Sequence, residues 1–416
     1  MLIYTVRPGD TIFRIAMRLG SSTALIVAAN PTINPDEITP GQKLLVPILI
    51  GTTVRVQAGE SLYQLAQRFD LPLAVIAAAN DLTPPYTIFP GQCLRIPLLL
   101  VDVPGCIAYE STRAGGVWDT WITSPSQAGS ERVSFSLGGP ATVPAWSPDG
   151  RFIALVSPGG TLYLIDMTTR QSRALLTGLG EFAPFAWAPS GDNIAVDVNG
   201  QIILVDVTTG ATRFLTPGNS PAYLPSGQAI VFTQPLTDNK HLLLSINTDG
   251  SDLRTIATFD QTESLSQLEV DPTGQLVALV ATSAVTSEIR IIDLATGQVI
   301  PTPITEARRD FFPRWSPNGQ LLAYNSTVST AAGLMGQIRL VDRRGQLVDD
   351  LTDTACIGER IAWSPDGLYI AYPNCLGRLP QLTLVGLHRN PVQITAHGTN
   401  VHPHWQASAC PPRPAP

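Results

Sequence analysis

The sequence predicts a multidomain, mainly β chain: two small βααβ modules, then a seven-bladed β-propeller closed by pairing of its N- and C-terminal strands. Three observations predict it. The first hundred residues repeat at an offset of 50. A second motif, built on Trp, Pro and Gly, then recurs at intervals typical of propeller blades. The partial units at the two ends of that second region supply the strands each other lacks.

Composition agrees with this architecture. A chain of 416 residues suits two or three domains, and 44% hydrophobic content is ample for real cores. With 36 Pro and 34 Gly, turns are frequent between short apolar runs, which favours strands over helix bundles. The formal charge is −7 and the only lysines are Lys43 and Lys240. Without a stretch that clusters Arg with aromatics, the footprint of a nucleic-acid binder is missing. No apolar run approaches the ~20 residues of a membrane span; the longest candidate lies around Leu98–Val103. The residues ahead of Tyr4 carry no recognisable signal peptide, so the export route stays open.

In the first region, Tyr4–Pro47 superimposes on Val54–Pro97 without a gap, Gly9 falling on Gly59 and Asn30 on Asn80. Each copy reads strand, helix, helix, strand. Asp10-Thr11 and Glu60-Ser61 supply helix N-caps. Ile12, Ile15, Ala16 and Leu19, matched by Leu62, Leu65, Ala66 and Phe69, then mark one helical face. A second short helix ends at Asn30 or Asn80, and Lys43–Val46 or Cys93–Ile96 closes the unit.

The segments YTVRPGDTIFRIA…N…ITPGQKLLVP and VRVQAGESLYQLA…N…IFPGQCLRIP resemble LysM modules. The resemblance implies modules at 1–49 and 50–98, each a βααβ fold that binds polymers containing N-acetylglucosamine, either peptidoglycan or chitin. It places the sugar in a shallow groove between the loop entering the first helix and the loop leaving the second. The first groove would use Gly9, Asp10, Thr11 and Ile12 with Asn30, Pro31, Thr32 and Ile33. The second would use Gly59, Glu60, Ser61 and Leu62 with Asn80, Asp81 and Leu82. Amides freed at a helix start suit an acetamide carbonyl, and Ile12 or Leu62 would meet its methyl group. Two linked sites raise apparent affinity through effective concentration.

Beyond a linker at 99–105, PAWSPDGRFIALVS at Pro144 returns as variants beginning at Phe185, Pro221, Leu268, Pro313 and Ile361, with a truncated copy at Pro403. The key positions Trp146, Trp187, Tyr223, Val270, Trp315, Trp363 and Trp405 are separated by 41, 36, 47, 45, 48 and 42 residues. Each unit holds four strand-sized pieces joined by Pro-Asp-Gly-type and Thr-Gly turns. Cys106–Glu110 reads as a second strand without a first, and Val401–Gln406 as a first strand without a second. Joining them gives seven blades and removes both exposed edges. The W-S-P-D-G-x-x-I-A pattern at Trp146 and Trp363 resembles the propellers of the TolB family over roughly 106–410, which implies the fold and leaves the function open. A Pro-rich tail follows at 411–416 and is expected to be disordered.

Chemistry-bearing motifs are few. Gly218-Asn219-Ser220-Pro221-Ala222 lacks the final Gly of a nucleophile elbow, and no zincin, P-loop, EF-hand or Cys-x-x-Cys pattern occurs. His402 and His404, with His388 and His397 in the same stretch, are spaced to share a strand face. The positions before the Trp residues are expected near the channel mouth. Arg314, Arg360, His402 and His404 are therefore the channel-mouth candidates, as a polar rim for a ligand; no cofactor and no metal is expected. Cys356 and Cys375 flank one hairpin, and Cys106 and Cys410 flank the closing strands, so each pair is placed for a disulfide and Cys93 is left over. Two disulfides fit an extracytoplasmic setting: periplasm, cell wall or secreted. The expected function is a non-enzymatic cell-envelope protein whose LysM pair holds glycan and whose propeller receives a protein or ligand. The alternative is a glycan-targeted hydrolase or lyase working at the channel mouth.

Overall fold

The computed structural model describes residues 2–411 except 20, 22, 48–50, 70, 81, 98–102, 126–128, 135–143, 181–182, 237–239, 261–262, 285, 304–308, 331–332 and 388–390. Asp81, His388, most of the linker and the tail beyond Pro411 thus lie outside the described residues.

Each N-terminal module is a two-stranded antiparallel ribbon carrying two helices. Leu2–Thr5 pairs with Lys43–Val46 around α1 (Ile12–Leu19) and α2 (Thr23–Ala29). Gly51–Arg55 pairs with Cys93–Pro97 around α3 (Leu62–Phe69) and α4 (Leu73–Ala79). The apolar stripe of α1 is buried through Ile12, Ile15 and Ala16, that of α3 through Leu62, Leu65, Ala66 and Phe69. The short, almost wholly apolar α2 and α4 pack on each other, and Leu25 and Ala29 of α2 join the second module's core. The two modules therefore share one apolar cluster.

The rest of the chain is a β-propeller. Five four-stranded antiparallel sheets stand apart, opening with the inner strands Ala145–Trp146, Phe185–Trp187, Asn219–Tyr223, Ser264–Val270 and Asn400–Gln406. The last of these is composite: Asn400–Gln406 pairs antiparallel with Cys106–Ala114, so the two chain ends build one sheet. Asp310–Trp315 through Leu347–Ala355 form a further four strands. A single partnership, Ala355 with Asn374, makes them continuous with the strands from Ala362–Trp363 to Val392–Gln393. At its far edge this ten-stranded sheet receives Leu2–Thr5 of the first module, with Leu2 opposite Val392.

Neighbouring sheets interlock through the repeated motif. The inner strands lie against one another in sequence. Trp187 Nε1 donates to the Ala145 carbonyl at 3.1 Å, Trp315 Nε1 to that of Glu269 at 3.2 Å, and Trp363 Nε1 to that of Arg314 at 2.9 Å. Each of these indoles thus spends its one polar group on the preceding inner strand while its rings fill the space between. Disulfides join Cys106 to Cys410 beside the closing strands and Cys356 to Cys375 across a hairpin; Cys93 is exposed and outside both. No described helix is long and apolar enough to cross a membrane.

Candidate functional site: module loops and the channel mouth

The loop entering the first helix has the same geometry in both modules. Gly9 and Gly59 each sit at φ +81° with open space where a side chain would stand, a left-handed conformation that favours glycine. The acids that follow are used within the loop. Asp10 Oδ2 accepts from the Tyr4 hydroxyl at 2.7 Å and the Arg7 amide at 2.8 Å. Glu60 Oε2 accepts from the Gln57 amide at 3.0 Å, and Oε1 pairs with Arg68 at 3.3 Å. Thr11 Oγ1 caps α1 through the Arg14 amide at 3.2 Å. Ser61 and Gln64 form a reciprocal capping box on α3, Ser61 Oγ accepting from the Gln64 amide at 3.2 Å and Gln64 Oε1 from the Ser61 amide at 2.8 Å.

The structure corrects part of the groove expected from sequence. Ile12 and Leu62 are each only 3% exposed and belong to the module cores, so their side chains offer no surface to an acetyl group. Asn30 is also committed internally: Nδ2 donates to the carbonyls of Ile26 and Leu45, and Oδ1 accepts from the Leu45 amide. Asn80 does the same with Ile76 and Arg95. These two residues pin the loop leaving the second helix onto the closing strand. Gly9, Thr11, Pro31, Thr32, Gly59 and Ser61 remain exposed, while Ile33 and Leu82 pack half-buried against their own cores. Sequence reasoning missed Phe13 and Tyr63, which are 64% and 61% exposed. They coincide at the 50-residue offset and fall off the buried helical stripe, which was the available signal.

At the propeller's axis, four inner strands carry a bulge three residues before the aromatic position. Register shifts occur between Asn219 and Ala222, Ser266 and Glu269, Phe311 and Arg314, and Val401 and His404. Within them Ser220, Gln267, Phe312 and His402 have φ between +50° and +55°. A bulge re-aims its side chain, at roughly 1 kcal/mol or more for a non-glycine residue held there. It also breaks the alternation that would have put His402 and His404 on one face, and the two histidines have separate partners.

His402 lies between two acids, with Nδ1 2.9 Å from Glu110 Oε2 and Nε2 3.2 Å from Glu359 Oε2. Burial opposes its charge, but the bonds to Glu110 and Glu359 outweigh it and raise the pKa to about 9. His402 is therefore an imidazolium at neutral pH. His404 Nδ1 instead faces the Trp146 amide at 3.2 Å. Burial, then Arg314 and Arg360, push His404 down to about 3, leaving a neutral ring that accepts at Nδ1 and carries its proton on Nε2. Arg314 pairs with Glu269 at 2.5 Å. Arg360 lies over the Phe312 ring, 4.9 Å from its centroid. Burial, then the charge of Arg314, lower its pKa to about 9, against the pull of Glu269, Glu110 and Glu359.

The four channel-mouth candidates are thus gathered in one cluster with Glu110, Glu269 and Glu359, which the sequence did not single out. The same position before the aromatic is alanine on the other four inner strands, Ala145, Ala186, Ala222 and Ala362, so those strands add no charge to the cluster. Among the described residues no group of three His, Cys, Asp or Glu side chains is arranged to hold a metal ion. A cleft of about 470 Å³ lies elsewhere, lined by Asp192, Asp206, Asp249 and Arg213 among others. Its carboxylates serve their own turns: Asp206 accepts from the Thr208 and Thr209 amides, Asp249 from Ser251 and Asp192 from Ser190.

Comparison with known proteins places this geometry in its class. The model described as TolB beta propeller domain matches residues 136–365, and the chain belongs to that family. The LysM domain model matches 4–47 and 54–97, so the N-terminal pair are LysM domains. The Tol-Pal system protein TolB of Francisella tularensis subsp. mediasiatica is 25% identical over 241 residues, 54% of this chain and 54% of its own length. This chain thus spans about half the length of the curated relatives it matches. A WD repeat-containing protein of Schistosoma mansoni is 30% identical over 112 residues, 26% of this chain and 36% of that one. Among solved structures, TolB from Acinetobacter baumannii is 18% identical, covers 76% of this chain and 75% of its own, and has a TM-score of 0.46. An oligogalacturonate lyase from Vibrio parahaemolyticus is 13% identical, covers 70% and 85%, and has a TM-score of 0.51. That likeness is one of fold.

Proposed function

We propose that this chain is a non-enzymatic, extracytoplasmic glycan-binding protein. Its LysM pair holds peptidoglycan or chitin, and its propeller receives a protein or ligand. The observation that carries the reading is the duplicated open loop, Gly9 with Thr11 and Gly59 with Ser61, flanked in each copy by an exposed aromatic ring. Amides at a helix start and an exposed ring are complementary to a pyranose, which presents hydroxyl and acetamide groups at its rim and C–H groups on its face. The two disulfides favour an oxidising compartment. We read the ten-stranded sheet as two blades joined edge to edge plus a LysM ribbon, which with the five separate sheets makes seven blades. The test is co-sedimentation of the full chain with insoluble peptidoglycan and with chitin. Retention on at least one polymer, reduced tenfold or more by Phe13→Ser with Tyr63→Ser, is expected; a chain left wholly in the supernatant by both polymers overturns the reading. Polysaccharide turnover that disappears in His402→Ala would replace it with an enzymatic function.

A further inference from the structure

From the cluster at the channel mouth we infer that the propeller binds an oxyanion-bearing small ligand, with the Arg360 guanidinium as its anchor. The inference rests on reading the propeller as a binding platform and is independent of what the LysM pair holds. Glu269 pairs with Arg314, while Glu110 and Glu359 share the single charge of His402, and all three acids attract Arg360 without forming an ion pair with it. Arg360 has neither an ion pair nor a hydrogen bond among the described residues, although it carries five N–H donors and is half-buried.

The guanidinium is nevertheless held in place. Phe312 covers one of its faces, and Phe312 is itself fixed in a left-handed bulge whose amide donates to Gln267 Oε1 at 2.6 Å. The edge that bears the donors is what remains for a ligand. The repulsion between Arg360 and Arg314 would be relieved by an anion lying close to both. His404, neutral and protonated on Nε2, adds a donor without adding charge. Carboxylates and phosphates share the required chemistry, two or more oxygens that accept a forked pair of N–H groups. The pre-aromatic alanines Ala145, Ala186, Ala222 and Ala362 on the other inner strands bring no carboxylate that would compete with the ligand.

The five histidines provide the readout. Histidine-labelled full-length protein is titrated separately with succinate and with inorganic phosphate at constant ionic strength, with chloride as control, and imidazole resonances are followed by NMR. Saturable shifts confined to His404 and His402, with His241 unmoved, are expected for at least one anion, and the arm that responds identifies the oxyanion. Arg360→Met is expected to weaken that binding at least tenfold, and Arg360→Lys to weaken it less while retaining the charge. Both variants should still sediment with the polymer that retains the parent chain, which separates this inference from the glycan reading. Shifts that stay linear and match chloride, or saturation unchanged in both variants, overturn it; if Arg360→Met fails to fold, Arg360→Lys alone decides.

Discussion

His402 is the residue whose state depends most on its surroundings. A histidine near the end of a chain normally titrates around 6.5, but this one faces a carboxylate at each ring nitrogen and stays charged to about 9. A folded pKa above the unfolded value means that the stabilisation is fully present below pH 6.5 and is lost as pH rises through about 9. The melting temperature of the parent chain is therefore expected to fall across that window, and the fall to be much smaller in His402→Gln. Equal slopes for the two would show that the pair of acids does not hold the proton. The sequence showed His402 and His404 but not the bulge between them, since backbone register in a short strand depends on its partner rather than on local composition. Nor did it reveal Glu110 and Glu359, which reach His402 from 292 and 43 residues away.

Among the elements, the helices of the LysM modules were the most legible because their apolar spacing repeats at a fixed offset. The division of labour within each loop was not. Asn30 and Asn80 look like ligands by position and act as staples, since an Asn side chain can replace missing backbone partners at a helix end. Ile12 and Leu62 sit where a groove was expected, but the first apolar residue of the helix turns inward. The caps differ in a way that can be measured. Ser61 and Gln64 satisfy each other's amides, whereas Thr11 is followed by Arg14, which cannot reciprocate. Ser61→Ala should cost about 1 kcal/mol of module stability in urea unfolding, and Thr11→Ala less. The opposite order would show that the box is not formed.

In the whole molecule, the ends matter more than the middle. The composite sheet depends on two segments about 300 residues apart staying together, and Cys106–Cys410 spans that interval with a sequence separation of 304, against 19 for Cys356–Cys375. By chain entropy the first cross-link is worth roughly 6 kcal/mol and the second roughly 3. Replacing Cys106 and Cys410 with Ser should accordingly lower the urea midpoint further than replacing Cys356 and Cys375; the reverse order would mean that strand pairing alone keeps the ring shut. Both pairings were legible because each pair flanks strands that the repeat already brought together. The docking of the first LysM module on the propeller edge was not legible, because the contacts that make it, Leu2 opposite Val392, the Ile3 amide on the Pro391 carbonyl and Lys43 with Asp353, leave no pattern in sequence. A different consequence follows from the apolar cluster shared between α2 and α4. Two binding loops tethered by a floppy linker would accept any spacing of sugars, with a gain set by tether statistics. Two loops fixed to a common core behave as a caliper: a polymer too short or too bent to bridge them gains nothing from the second site, and one that matches gains almost all of it. On the proposed glycan reading, duplication in this chain would measure the length and stiffness of the polymer as much as it strengthens the grip.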